Sequence, residues 1–376
     1  MTILKSSKTA IALALALAFS TAMRAADTGT LKVGVQLPLT GERADVGKLM
    51  QNAVQMALDK VNAGKGPKLE LVWADDESTT DGIAKSLGKL IHDPQIIAIA
   101  GEINSPLVMA SAPIVDKEGL PYITGGSSPR TTAASPWIFR AGASDALLTK
   151  LLIDYMTDEL KAKDIAILHD KTGVHNQRAG LVVDALKEKG IVPSVNGTWS
   201  PGDRSFTAQI EQVKAGQAKV LLALGETAEG GAFFKDAKAA GLQAQIIGHR
   251  DFGAKSVLDE AGSAADGALI FTEYAPALMG QNTRTWAAAY QKRFGDAPNV
   301  IAAQYYDSLL LIAEAMKTGG ATRAGVKSGL EHLKAYPGVM ADYTFDANRN
   351  GVHRFIVAKV GGGKLSLVKV LNEAPK

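Results

Sequence analysis

The chain alternates short apolar runs with longer stretches in which apolar residues recur every three to four positions. Runs such as "IIAIA" (Ile96–Ala100) and "VLLAL" (Val220–Leu224) are apolar at every position, as strands are when helices cover both faces of their sheet. This pattern predicts strands at Leu31–Leu37, Leu69–Trp73, Ile96–Ala100, Pro121–Thr124, Ile165–His169, Ile191–Val195, Val220–Leu224, Gln245–Gly248 and Ala268–Phe271. Helical periodicity predicts intervening helices at Lys48–Val61, Gly82–Ile91, Asp145–Leu160, Ala179–Lys187, Phe206–Lys214 and Gly231–Ala240. Strands separated by helices of this length pair in parallel, so the fold class is α/β.

The alternation pauses at "WIFRAGASD" (Trp137–Asp145) and then resumes as a second series, which marks a lobe boundary. After Phe271 an irregular passage (Thr272–Gln281) leads to three further helical patterns, Thr283–Phe294, Ile301–Lys317 and Arg323–Leu333. The last segment reads as extended pieces around turns, with "VGGGK" as a hairpin. A chain of 376 residues with 46% hydrophobic composition exceeds the usual single-domain size, consistent with two lobes.

The first residues form a separate unit. Lys5 and Lys8 precede an apolar run, Ala10 to Phe19, that ends in small residues; this is the layout of a secretory leader over residues 1–25. The expectation is an exported chain. Of 41 Lys plus Arg, three (Lys5, Lys8 and Arg24) lie in or beside the leader, which leaves 38 against 38 Asp plus Glu. Near-neutrality argues against nucleic acid or an anionic membrane surface as partner. The absence of cysteine excludes disulfides and thiolate chemistry.

In open α/β sheets ligands bind beyond the carboxyl ends of the strands, so the loops there hold the candidate chemistry. After Ile96–Ala100, "GEINSP" places Asn104 and Ser105 at a helix start, with proline at an early helical position. The next strand runs into "ITGGSSPR", which again sets serines, Ser127 and Ser128, before a proline. Each loop alone reads as an ordinary cap; together they make a pocket of hydroxyls and free helix N–H groups suited to a carboxylate. On the second series, "LGETAEG" offers Glu226 and Thr227, "GHRDFG" offers Arg250 and Asp251, and "HDKTGVH" offers His175 as a candidate to face a ligand. Tyr305, in a helical pattern, is a further candidate.

Other motifs fail on inspection. "LTGERADVG" lacks both phosphate-loop patterns. "DANRNG" starts like a calcium loop, but its twelfth position is Val357. The six histidines make neither H-x3-H nor H-E-x-x-H, and no G-x-S-x-G elbow occurs. Neither a metal, a cofactor nor a catalytic group is predicted.

The chain resembles the type I periplasmic solute-binding proteins of the branched-chain amino-acid family, which serve ATP-driven importers. The resemblance runs through "LKVGVQLPLTG", "WADDESTTDGIAKSLGKLI", "IIAIAGEINS", "GLPYITGGSSP", "DIAILHDKTG", "GAFFKDAKAAGL" and "AAQYYDS". It implies two α/β lobes joined by three crossovers, residues 26–141 with 273–345 and 142–272 with 346–376. It also implies a monomer that closes on a small carboxylate-bearing ligand and delivers it to membrane permease subunits. The family's carboxylate-binding positions fall on Ser105 and Ser128, with Ser127 beside the latter. Its ligand-enclosing tyrosines correspond to Val46, Val174 and the Glu226–Thr227 pair. Where amino-acid binders hold the ligand's ammonium with an acid, this chain has Arg250, with Asp251 one residue on. Arg250 points to an aromatic or other organic acid in place of leucine, isoleucine or valine. Two alternatives are an exported α/β hydrolase or amidase, and a receptor lobe that signals occupancy to a membrane sensor.

Overall fold

A computed structural model describes residues 30–66 and 68–373; the leader lies outside them. The described strands fall mainly into two sheets. The first is wholly parallel, in the order β2-β1-β3-β4-β5, from Leu31–Leu37 (β1), Leu69–Asp75 (β2), Ile96–Ala100 (β3), Tyr122–Thr124 (β4) and Ile138–Arg140 (β5). Between these strands lie helices Ala44–Ala63 (α1), Thr80–Ile91 (α2), Ser105–Glu118 (α3) and Pro129–Ala133 (α4). All five residues of "IIAIA" are buried, as their unbroken apolarity requires.

The second sheet has the order β14-β13-β10-β9-β8-β6-β7. Its parallel part comprises Ile165–Asp170 (β6), Val195–Trp199 (β7), Val220–Leu224 (β8), Gln245–His249 (β9) and Leu269–Thr272 (β10). The helices of this part are Asp145–Asp154 (α5), which continues as a π-helical turn over Tyr155–Glu159, then Gly173–Glu188 (α6), Thr207–Ala215 (α7), Thr227–Ala239 (α8) and Lys255–Ala261 (α9). An antiparallel hairpin, Arg354–Gly361 (β13) and Lys364–Asn372 (β14), completes one edge through the predicted glycine turn.

Helices Gln281–Phe294 (α10), Val300–Gly319 (α11) and Arg323–Glu331 (α12) follow β10. α11 buries fifteen of its twenty residues, and it packs on α1, α12 and β3. Gly329 permits the approach of α12, because a Cβ there would lie 2.2 Å from the Ala315 carbonyl oxygen. A short pair, Tyr336–Pro337 (β11) and Asp342–Tyr343 (β12), leads back to the second sheet.

Most predicted elements stand within a few residues of their expected bounds. One strand does not: "IVPSV" is a connection, and β7 begins only at Val195. Pro193 carries no ladder donor, and the Ile191 N–H instead closes the end of α6 on Leu186 O at 2.9 Å. The helix after β6 also starts earlier than predicted. Thr172 caps it, which places His175 in its first turn.

The chain passes between the sheets after β5, after β10 and after β12. The first and third passages lie side by side: Arg140 N donates to Arg349 O at 2.9 Å, and Gly351 N to Arg140 O at 3.0 Å. Asp307 of α11 anchors the third. Its carboxylate accepts from Val339 N and Met340 N, both at 2.8 Å, and from Tyr343 Oη at 3.1 Å. Asp307→Ala strands two buried backbone donors, Val339 N and Met340 N, at a cost of about 1–3 kcal/mol each before relaxation, while Tyr343 Oη keeps Ala141 O at 3.1 Å. We expect a net loss of about 3 kcal/mol in urea denaturation followed by circular dichroism; a loss below about 1 kcal/mol would show that this acceptor does not hold the passage.

Candidate functional site

Each sheet has one point where successive connections leave in opposite directions: between β1 and β3 in the first, and between β6 and β8 in the second. Crevices form at such points, beyond the strand carboxyl ends. The loops after β3 and β4 carry the predicted serines. Asn104 is the N-cap of α3 and Ser128 that of α4, yet neither side chain accepts a capping hydrogen bond. Ser128 N donates to Ser105 Oγ at 3.2 Å, so the two loops form one unit.

What shapes this unit is Arg140, which sequence reasoning missed. It is 1% exposed at the end of β5, beneath the "GGSS" loop. Its Nε donates to Gly126 O at 2.7 Å, its Nη2 to Ser128 O, and its Nη1 to Asn350 Oδ1 at 2.6 Å. The same two carbonyls also accept from Thr131 Oγ1, at 3.3 and 2.9 Å, so the loop backbone is held from below at two points. The available signal was an arginine ending an otherwise buried strand, "WIFR".

Tyr305 is corrected by the structure. It is fully buried behind these loops, with its hydroxyl donating to Gly101 O at 2.6 Å and accepting from Gly125 N at 3.4 Å. It supports the serine loops and does not line a crevice. Val46 is half-buried and packs against the first core.

Ser127 points elsewhere than expected. Its Oγ donates to Asp145 Oδ2 at 2.8 Å; Arg178 Nε donates to Asp145 Oδ1 at 2.9 Å; Arg178 Nη1 meets His249 Nε2 at 3.0 Å. Asp145, Arg178 and His249 are each at most 3% exposed. A buried polar chain therefore joins the serine loops to the strand ends of the second sheet. Burial, together with Arg178 and Arg250, holds the His249 pKa well below its ordinary value, against the opposing pull of Asp251.

On the second sheet Arg250 is not the free cation expected. Its Nη1 pairs with Glu273 at 2.6 Å and its Nε lies 3.6 Å from Asp251. Burial opposes the charge, but Glu273 and Asp251 raise its pKa above the ordinary value. Asp251 is held well below the usual carboxylate range, since the hydrogen bond from His249 and the charge of Arg250 outweigh burial. His175, expected in a loop, is 1% exposed and its Nδ1 lies 2.8 Å from Asp170 Oδ2. Glu226 and Thr227 are exposed at the start of α8. The Glu226 pKa is raised, first by desolvation and then by the charge of Asp251. Surface hollows of about 320 Å³ near Ser328 and about 420 Å³ near Lys219 lie away from all these groups.

A family model described as periplasmic binding protein matches residues 30–364. The chain belongs to the periplasmic binding protein family. It is a type I member, of the branched-chain amino-acid branch. It is similar to the leucine-, isoleucine-, valine-, threonine- and alanine-binding protein of Pseudomonas aeruginosa, 26% identical over 80% of this chain and 81% of that one. It is likewise similar to a Leu/Ile/Val-binding protein homologue of Brucella abortus, 26% identical over 87% of this chain and 89% of the relative.

In three dimensions this periplasmic binding protein matches a branched-chain amino acid transporter substrate-binding protein of Streptococcus pneumoniae in complex with isoleucine. The TM-score is 0.74 and the identity 23%, over 92% of this chain and 100% of that one. A solute-binding protein of R. palustris in complex with benzoate matches with the same TM-score, 0.74, at 20% identity over 92% and 99% of the two chains. These likenesses show the two-lobed fold. Among the described residues no helix is long and apolar enough to cross a membrane.

Beneath the serine loops lie two buried carboxyls, Asp76 and Glu102, both fully buried, with Asp76 Oδ2 and Glu102 Oε2 lacking partners. Burial first and then Asp76 raise the Glu102 pKa to about 9, from an ordinary 4.5. The folded protein thus keeps a proton that the unfolded chain releases, and between these two values stability falls as pH rises. Glu102→Gln fixes the neutral form. Its melting temperature, scanned from acid to alkaline pH, should gain on the native protein as pH rises toward 9. Parallel curves would show that Glu102 is ionised in the fold.

Proposed function

We propose that this protein is the periplasmic substrate-binding component of an ABC importer, and that it closes on a small amino acid. On this reading residues 26–141 with 273–345 form one lobe and 142–272 with 346–376 the other, following the three passages. The leader over residues 1–25 exports the chain, which works as a monomer and hands its ligand to membrane permease subunits. Ser105 and Ser128, with Asn104 and the amides of Ser127 and Ser128, take the carboxylate. Asp251 takes the ammonium from the second lobe. Closure follows because the ligand's two ends bind different lobes, so only the closed state makes both sets of contacts.

The observation that carries this reading is the charge at the second sheet's strand ends. Glu226, Asp251 and Glu273 face a single arginine, Arg250, which is already paired with Glu273, and Asp170 lies beside Glu226. Such a surface favours a cation opposite the hydroxyl-rich loops of the first sheet. It supports an amino acid over an acid that lacks an amine, even though Arg250 alone suggested the latter. The names of the Pseudomonas aeruginosa and Brucella abortus relatives agree with an amino-acid ligand.

A thermal-shift screen of amino acids, dicarboxylates and benzoate tests this, because a ligand at about one hundred times its dissociation constant stabilises by ~2.7 kcal/mol. We expect shifts with one or more small amino acids. Ser105→Ala and Asp251→Asn should each weaken binding about tenfold or more, corresponding to one lost charged hydrogen bond of about 1.5–3 kcal/mol. Shifts with benzoate or dicarboxylates and none with amino acids would overturn the reading.

A further inference from the structure

We propose that Asp170, His175 and Glu226 form a divalent transition-metal site, for zinc or an ion of like chemistry, at the switch point of the second sheet. Each offers one ligand atom, and these atoms all lie within 4.8 Å of one another. The three come from the end of β6, the first turn of α6 and the loop after β8, so the parallel pairing of β6 with β8 sets their relative positions. Sequence spacing gave no hint of it, because the residues are brought together by the sheet and not by a local motif.

The donor set decides the class of ion. One imidazole with two carboxylates suits zinc and its neighbours, with open positions left for water or a ligand group. Calcium and magnesium prefer oxygen shells of six or more and take no imidazole. The surroundings are built as metal sites usually are. Asp170 is fully buried, and its second oxygen accepts from Thr172 N at 2.9 Å and Thr172 Oγ1 at 2.5 Å, which fixes the carboxylate plane. Thr172 also receives His175 N at 3.4 Å, which seats the imidazole. Glu226 is exposed and supplies the entry side.

A second observation comes from His249, whose ring meets that of His175 edge-on with centroids 5.4 Å apart. Its Nδ1 is buried and lies 3.0 Å from Asp251 Oδ2. The wall of the cluster thus holds a second imidazole beside a surplus of carboxylate from Asp170, Glu226 and Asp251. A cation bound at Asp170, His175 and Glu226 offsets that surplus directly.

The test is a zinc titration of the full chain, without any amino acid and against a competing chelator, so that it is independent of the ligand reading. One zinc per chain is expected. His175→Ala and Glu226→Gln should each reduce affinity at least tenfold, while His332→Ala, which removes an exposed histidine on another face, should leave it unchanged. Bound cobalt should show visible absorption bands that His175→Ala abolishes. Glu226→Gln alters an exposed side chain and keeps the test valid if His175→Ala does not fold. Absence of stoichiometric zinc binding, or affinity unchanged in Glu226→Gln, would overturn the proposal.

Discussion

The buried ion pair between Asp145 and Arg178 is the constraint on which the rest of the site depends. Removing two charges from water costs several kcal/mol per ion, and the cost is recovered only if geometry is good and the remaining hydrogen-bonding capacity is met. Here it is met on both sides. Asp145 uses its second oxygen for Ser127 Oγ, and Arg178 uses a second nitrogen for His249. Asp145 N also donates to Ser127 O at 2.9 Å. The serine loops of the first sheet and the acidic strand ends of the second are therefore parts of one polar network. A shift in either is felt by the other through contacts of about 3 Å, which are steep in energy.

Arg140 does for the serine loops what Arg178 does for the joint. A loop lined by small residues has many backbone conformations, and fixing them costs roughly 1–2 kcal/mol per residue. By holding Gly126 O and Ser128 O from below, Arg140 meets part of that cost before any ligand arrives. Its other nitrogen reaches Asn350, on the third passage. The same guanidinium thus orders the loop and the passage beside it, so loop geometry and hinge geometry are set together.

Much of the architecture was legible in the chain, and the reason is local. Strands such as β3 and β8 are apolar throughout because both faces are covered, and that pattern needs no knowledge of partners. The serines at 105 and 128 were legible because helix starts have their own chemistry. What could not be read were pairings across long separations. Arg250 is charged in any environment, but whether it stays free depends on Glu273, 23 residues away in another loop. Tyr305 looked available because a helical pattern does not say which face meets Gly101, 204 residues earlier. His175 looked like a loop residue because Thr172 was not recognised as the cap that draws it into the first turn of α6.

The charge distribution then limits what can fill the space between the sheets. On the first side the lining is neutral, made of hydroxyls and amides over a buried cation, Arg140, whose own charge favours an anion nearby. On the second side three carboxylates, Glu226, Asp251 and Glu273, surround Arg250, Asp170 adds a fourth beside Glu226, and the Asp145 and Arg178 charges cancel. His249 does not change this, since burial first, and then the Arg178 and Arg250 guanidiniums, disfavour its charged form. Two like charges about 4 Å apart repel by about 4 kcal/mol at an effective dielectric constant of about 20. A molecule that brought only negative charge would pay that repulsion when the second side closed on it. One with an anionic and a cationic end gains at both surfaces, and the gain exists only when both are in contact.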